Sequence, residues 1–366
     1  MDRRQFIAAT IAGAAVASQA ATAAPVTSST LDDFVEQKLS GQDFGGTVLV
    51  KHRGQTLLRS GLGLADRAFA VRSEPETAYR IASITKLFTA VLVMRLVAAG
   101  RVNLDAPIAT YLAAYKGPGA GRVTIRQLLN HTSGIENFDK SLTSFAEAAR
   151  TGMSAYQIPH SPQELMDRFA SGPLVHEPGT TFDYNNADYV ILGQIIEALE
   201  GLPYERVVSR DILVPLNMTM TGLAEQQRII PRLAPTYYKD EDSPLVNDMP
   251  TYGQNWYAAG GMYSTVDDLE VFAAGLYEGR LLPTEAVEVL LTPGLDEYGF
   301  GQWVSELDVN GRKHRFAQRP GRIMGANTLL LRMLDDDLTI VILANTNLVD
   351  TDKLGFQIAR QVLQSA

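Results

Sequence analysis

Between Tyr79 and Gly100 the chain reads YRIASITKLFTAVLVMRLVAAG, and from Leu87 to Ala99 only Thr89 and Arg95 interrupt an apolar run. A helix that is apolar on nearly every face has to sit in the middle of a domain, so the remaining chain must supply its coat. The start of this helix carries Ser83-Ile84-Thr85-Lys86. Residues three apart on a helix share a face, which brings the Ser83 hydroxyl and the Lys86 amine together. A lysine stripped of part of its water shifts towards its neutral form and can take the serine proton. The first N–H groups of the helix point at the same place, ready for a developing oxyanion. The same residues also suit a plain helix cap, and the tetrad alone leaves both readings standing.

The chain is long enough for one large domain or two interleaved ones: 366 residues, 46% of them hydrophobic. With a net charge of −9 and no basic stripe interleaved with aromatics, nucleic acid is not an expected partner. The absence of cysteine excludes disulfides, thiol nucleophiles and thiolate metal sites. His52, His131, His160, His176 and His314 show no metal-ligand spacing, so neither a metal nor an organic cofactor is expected. At the N-terminus Arg3-Arg4-Gln5-Phe6 precedes a weakly apolar stretch, Ile7 to Ala17, and then Ala21-Thr22-Ala23. Twin arginines, a short apolar core and an A-x-A site predict a bacterial twin-arginine export signal over residues 1–24, with the mature chain periplasmic or secreted. That run is shorter than the roughly 20 apolar residues a membrane span needs, so no stable span is expected after its removal.

Strand signals cluster at the two ends. Thr47 to Lys51 and Thr56 to Ser60 flank a turn and predict a hairpin, after a short helix from Thr30 to Leu39. Late in the chain, Gly299 to Leu307, Lys313 to Gln318, Leu329 to Met333 and Leu338 to Ala344 read as strands, closed by a helix over Asp352 to Leu363. The middle reads as helix and loop. It includes a capping box at Thr124 to Gln127, a helix from Ser161 to Phe169 with Pro162 at its first position, and a periodic helix from Ala187 to Leu199 with Asn186 as its expected cap. The expected fold class is α/β (α+β): one antiparallel sheet built from both chain ends and flanked by helices, with an inserted helical region. Residues 25–102 and 251–366 form the sheet domain in this scheme, and 103–250 the insertion.

Two further stretches carry chemistry. Phe182-Asp183-Tyr184-Asn185-Asn186 places a tyrosine and amides ahead of a helix, and a tyrosine held partly ionised can act as a general base. Gln318-Arg319-Pro320-Gly321 falls between two late strands, where an arginine can hold a carboxylate by two hydrogen bonds. Ser-x-x-Lys, then Tyr-x-Asn about 100 residues on, then a basic residue-x-Gly near the C-terminus resembles the serine β-lactamase/penicillin-binding-protein family. The likeness is greatest to the branch of class C β-lactamases and D-alanyl-D-alanine carboxypeptidases. RIASITK, LLNHTSG (128–134), EPGTTFDYNNADYVILG (177–193) and AAGGMYSTVDDL (258–269) share it, in order, over about residues 30–365.

The resemblance implies acyl transfer. Ser83 is the implied nucleophile, Lys86 its activating partner and Tyr184 the general base. Asn186 is the implied substrate hydrogen-bonder, Arg319 and Gly321 belong to the third motif, and the Arg322 N–H joins that of Ser83 in the oxyanion hole. Arg319-Pro320-Gly321 stands where the family has Lys-Thr-Gly or His-x-Gly. Arginine keeps the charge but cannot give up its proton, so it is suited to orienting a carboxylate or Tyr184 and not to shuttling protons. The expected activity is an exported serine hydrolase acting on a small-molecule or peptide substrate, with D-amino peptides and carboxylic esters ahead of β-lactams. The alternative, from another class, is a penicillin-recognising binding or sensor module that is acylated without turnover. Oligomeric state is not readable from the pattern.

Overall fold

Six strands form the central sheet of the computed structural model, which describes residues 28–139, 145–240 and 243–364. The export signal expected over residues 1–24 lies outside the described residues. In chain order the main elements are helix α1 (Ser28–Leu39), strands β1 (Gly46–His52) and β2 (Gln55–Leu62), helices α2 (Thr85–Ala98), α3 (Asn186–Glu200) and α4 (Val266–Tyr277), strands β3 (Trp303–Val309), β4 (Arg312–Ile323), β5 (Ala326–Met333) and β6 (Leu338–Ala344), and helix α5 (Thr351–Leu363). The strand order is β3-β4-β5-β6-β1-β2, with every neighbouring pair antiparallel. The sheet is thus built from both ends of the chain, and β1 pairs with β6 from Gly46↔Ala344 to His52↔Leu338.

Side chains alternate across a strand, and here both faces are covered. Leu329, Leu331, Ile340, Ile342, Val48 and Val50 pack with Leu31, Val35, Leu354 and Ile358 of α1 and α5. Leu330, Val341, Leu343 and Leu49 point the other way, into a larger core that holds α2 and α4. Double-sided burial explains why β5 and β6 are largely apolar, with runs from Leu329 to Leu331 and from Ile340 to Ala344. In α2 every residue from Thr85 to Met94 is buried, and Phe88 stacks on Phe272 of α4 with ring centroids 3.8 Å apart.

The expected boundaries hold for the hairpin, for the helix capped by Ser161 with Pro162 at its first turn, and for the capping box at Thr124 and Gln127. Three differences bear on function. β3 begins at Trp303 rather than Gly299, because Gly299 to Gly301 form a turn in which Gly301 has φ +77°. The N-cap of α3 is Asn185, whose side chain accepts from Ala187 N–H at 2.9 Å, so Asn186 does not cap. Finally, Arg319-Pro320-Gly321 is not a connection between strands but the last part of β4. β3 ends its pairing at Trp303↔Gln318, so residues 319–323 have β5 on one side and no partner strand on the other. A proline needs such an edge, since it has no N–H to give to a ladder. The free edge of the motif faces the start of α2.

Candidate active site

Ser83 lies on a short 3-10 turn, Ala82–Ile84, that leads into α2. Ala82, immediately before it, sits in the left-handed region at φ +47°. A non-glycine residue there stores strain of about 1 kcal/mol or more, which the surroundings must over-determine. They do so with the Thr85 hydroxyl, donating to Ala82 O at 2.7 Å, and the Thr328 hydroxyl, donating to Ile81 O at 3.1 Å. Gly321 of β4 packs directly against this turn: a Cβ on it would come 2.4 Å from Ile81 O and 3.1 Å from Ser83 N. Only glycine lets the strand and the Ser83 turn approach so closely.

Lys86, one turn into the buried helix, has no exposed surface. Its Nζ donates to Ser83 Oγ at 3.2 Å, Asn186 Oδ1 at 2.6 Å and Ala259 O at 2.9 Å. The Tyr184 hydroxyl donates to the same Ser83 Oγ at 2.8 Å, and its ring lies 4.7 Å from the Lys86 ammonium. Burial is the largest influence on Lys86 and, with the nearby Arg319 charge, draws its pKa down to about 8. Burial pushes the Tyr184 phenol up, but the charges of Arg319 and Lys86 more than offset this and bring it down to about 8. Two proton acceptors that release their protons near the same pH therefore converge on one serine oxygen. They titrate as a unit rather than as separate residues.

Arg319 is almost completely buried, at 1% exposure, and its guanidinium is spent within the site. Nε donates to Ser83 O at 2.6 Å, Nη1 to the Tyr298 hydroxyl at 3.1 Å, and Nη2 to the Tyr184 hydroxyl. Of the two roles open to it from sequence, holding a carboxylate or orienting Tyr184, the geometry matches the second. Trp303 stacks beside Tyr184 with ring planes 14° apart, and Tyr298 lies across Trp303 in an edge contact. The Arg322 side chain turns away to pair with Asp352 at 2.7 Å. Ser83, Tyr184, Trp303, Arg319, Pro320 and Arg322 together line a cavity of about 230 Å³.

Asn185 and Asn186 divide their work. Asn185 is fully buried, caps α3 and donates to Ile135 O at 2.7 Å. Asn186 points into the site, accepting from Lys86 and donating to Asp139 Oδ2 at 2.5 Å. Asp139 also accepts from the Tyr156 hydroxyl at 2.8 Å. Behind Tyr184 lies a buried pair, His131 Nδ1 and Asp188 Oδ2 at 2.9 Å. Burial drives the imidazole well down and the carboxyl well up, so both favour their neutral forms. His131 touches the Tyr184 ring at 4.5 Å between centroids and packs behind it. Sequence reasoning missed Asp139, Tyr298 and Trp303. Among the described residues no group of three or more histidine or carboxylate side chains comes together to hold a metal, and no helix is long and apolar enough to cross a membrane.

Comparison with known proteins agrees with this geometry. The family model described as Beta-lactamase matches residues 31–363. The chain is 27% identical over 263 residues to a putative penicillin-binding protein, PbpX, of Bacillus subtilis, covering 72% of this chain and 62% of that protein. It is 26% identical over 344 residues to protein flp of Staphylococcus aureus, covering 91% of this chain and 66% of that one. The chain therefore spans a little under two thirds of the length of these curated relatives. Among solved structures, an octameric penicillin-binding protein homologue from Pyrococcus abyssi superposes with a TM-score of 0.76 at 25% identity, covering 92% of this chain and 77% of the other. A D-stereospecific amidohydrolase from Streptomyces sp. gives 0.74 at 26% identity, covering 88% and 96%.

Proposed function

The chain belongs to the Beta-lactamase family, and from that premise we propose that it is an exported serine hydrolase opening an amide, peptide or ester carbonyl through an acyl-enzyme on Ser83. The observation that carries this reading is the convergence of Tyr184 OH, at 2.8 Å, and Lys86 Nζ, at 3.2 Å, on Ser83 Oγ. In the first step Ser83 Oγ bonds to the carbonyl carbon while its proton passes to the Tyr184/Lys86 unit. The oxyanion is held by the Ser83 and Arg322 N–H groups, each lowering the barrier by about 3 kcal/mol by the usual measure of such donors. The carbon–leaving-group bond then breaks and the leaving nitrogen or oxygen takes the proton from the unit. Water repeats the sequence on the acyl-enzyme, and the proton returns to Oγ.

The likeness to the Streptomyces D-stereospecific amidohydrolase supports an amide or peptide bond next to a D-residue as the substrate class, with simple carboxylic esters as surrogates. Export rests on the twin-arginine stretch at residues 3–6. A fluorophosphonate probe is expected to label the protein at Ser83 and not the Ser83→Ala variant; equal labelling of both overturns the assignment. Turnover is measured on D-amino acid amides, D-alanyl dipeptides, p-nitrophenyl acetate and a chromogenic β-lactam. A single burst with no further release on every one of them favours the sensor alternative.

A further inference from the structure

A second and larger cavity, about 460 Å³, shares no lining residue with the first. Its walls are continuous with the catalytic elements on two sides. Ile323 follows Arg322 along β4, and Gly260 follows Ala259, whose carbonyl accepts from Lys86. Neither Ser83 nor Tyr184 lines it. A leaving group must lie next to the residue that protonates it, which places it in the smaller cavity with Tyr184. The acyl part of the substrate then has to extend away from Tyr184, along the end of β4 and towards the larger cavity.

That cavity contains one cationic side chain. Arg80 pairs through its backbone with Tyr263, and its guanidinium packs against Gly253, where a Cβ would come 2.2 Å from Nη1. Among the described residues the Arg80 guanidinium makes no hydrogen bond or ion pair. Burial draws its pKa down, as expected of a cation withheld from water, and the charge of Asp248 only partly offsets this. The carboxylates that share the cavity are already engaged: Asp248 accepts the Gly325 N–H at 3.1 Å and Asp66 accepts the Phe69 N–H at 3.0 Å. Met249, Trp256 and Ile323 add apolar lining to a cavity otherwise of mixed character. Apolar side chains together with an unpaired planar fork of donors match a carboxylate on an aliphatic stem. The two nearby aspartates disfavour a dianion such as phosphate.

We propose that this cavity receives the acyl side of the substrate and that Arg80 binds a carboxylate at its far end, so that acyl groups ending in a carboxylate are preferred. This rests on the serine-hydrolase reading, and the test separates the two. The first arm compares kcat/KM for p-nitrophenyl half-esters of succinate, glutarate and adipate with that for p-nitrophenyl butyrate. The wild type is expected to favour at least one half-ester through a lower KM. In Arg80→Gln that preference should fall by about 10- to 100-fold, the size of a lost charge-assisted hydrogen bond, with Arg80→Lys intermediate. The second arm needs no catalysis: calorimetry of glutarate binding to Ser83→Ala, with and without Arg80→Gln, should show the same loss. A preference unchanged in Arg80→Gln overturns the proposal, as does a wild-type preference for the ammonium-ended p-nitrophenyl 6-aminohexanoate. If no ester is hydrolysed, glutarate binding that depends on Arg80 upholds the cavity assignment while the hydrolase reading fails, and binding that does not depend on Arg80 overturns it.

Discussion

Replacing Arg319 by glutamine removes a buried positive charge from contact with Tyr184 and leaves a shorter, neutral amide. In the intact site the phenol sits at about 8 because Arg319 and Lys86 outweigh the effect of burial. Without Arg319 burial regains control, and the phenol should return to at least the ordinary tyrosine value of about 10. Lys86 moves the same way, since Arg319 is the charge that adds to burial in drawing it down. A shift of about 2 units corresponds to about 2.7 kcal/mol. At pH 7 the basic form falls from roughly one molecule in ten to one in a thousand, so kcat/KM at that pH should drop about 100-fold. The assay is kcat/KM against pH on a neutral p-nitrophenyl ester, from about pH 6 to about 10.5, with Ser83→Ala as the blank. The wild type should rise to a plateau with a midpoint near 8, the variant with a midpoint near 10 or above. Arg319→Lys, which keeps the charge, should stay near the wild type. A glutamine variant with an unmoved midpoint would refute the claim that Arg319 sets the base.

Other consequences can be checked separately. Lys86→Met should cost about 10²- to 10⁴-fold in kcat/KM. Because Lys86 has a folded value near 8, below its ordinary 10.5, its charge disfavours folding below pH 8, and that penalty fades as pH rises towards 10.5. Urea unfolding should therefore show the wild type gaining stability relative to Lys86→Met between those pH values; a constant difference contradicts the shift. Asn185→Ala removes the α3 cap and a buried hydrogen bond, and should lower unfolding free energy by about 1–3 kcal/mol. Asn186→Ala should instead slow turnover while changing stability less; the reverse pattern would exchange their roles. Gly321→Ala places a methyl 2.4 Å from Ile81 O, so it should lower both the melting temperature and kcat. A variant with wild-type values would mean the strand yields more easily than its packing implies.

That Ser83 and Lys86 meet was legible in the sequence, because residues three apart at a helix start share a face and a largely apolar helix belongs in the core; their roles came only with the resemblance. The sheet was legible too, since strands buried on both faces carry largely apolar runs. What failed was local geometry decided by distant partners. Asn185 and Asn186 are equally good caps by type, and only the position of Lys86 and Asp139 draws Asn186 inwards. Residues 318–321 read as a connection because the late strand pattern stops at Gln318 and resumes only at Leu329. The motif stays within β4 because β3 pairs no further than Trp303↔Gln318 and so leaves Pro320 a free edge, a fact about a neighbour 17 residues away. Tyr298, Trp303 and Asp139 carry no motif at all. Their signal exists only after folding has brought a ring to the guanidinium or a carboxylate to the amide.

The arginine of the third motif has a consequence beyond Tyr184. A lysine or histidine at that position would add a group able to lose its proton near the working pH, and the rate would then fall as well as rise with pH. Arg319 keeps its charge throughout, and the surrounding tyrosines raise its pKa further despite burial. Lys86 and Tyr184 share their protons as one unit, and His131 and Asp188 are held neutral behind them. Among the groups in direct contact with Ser83, then, nothing is left to titrate on the alkaline side once that unit has lost both its protons. The rate profile should have a single rising limb and no descending one until the fold itself gives way. This fixed cation suits a site that needs an invariant field on its base more than a second proton donor.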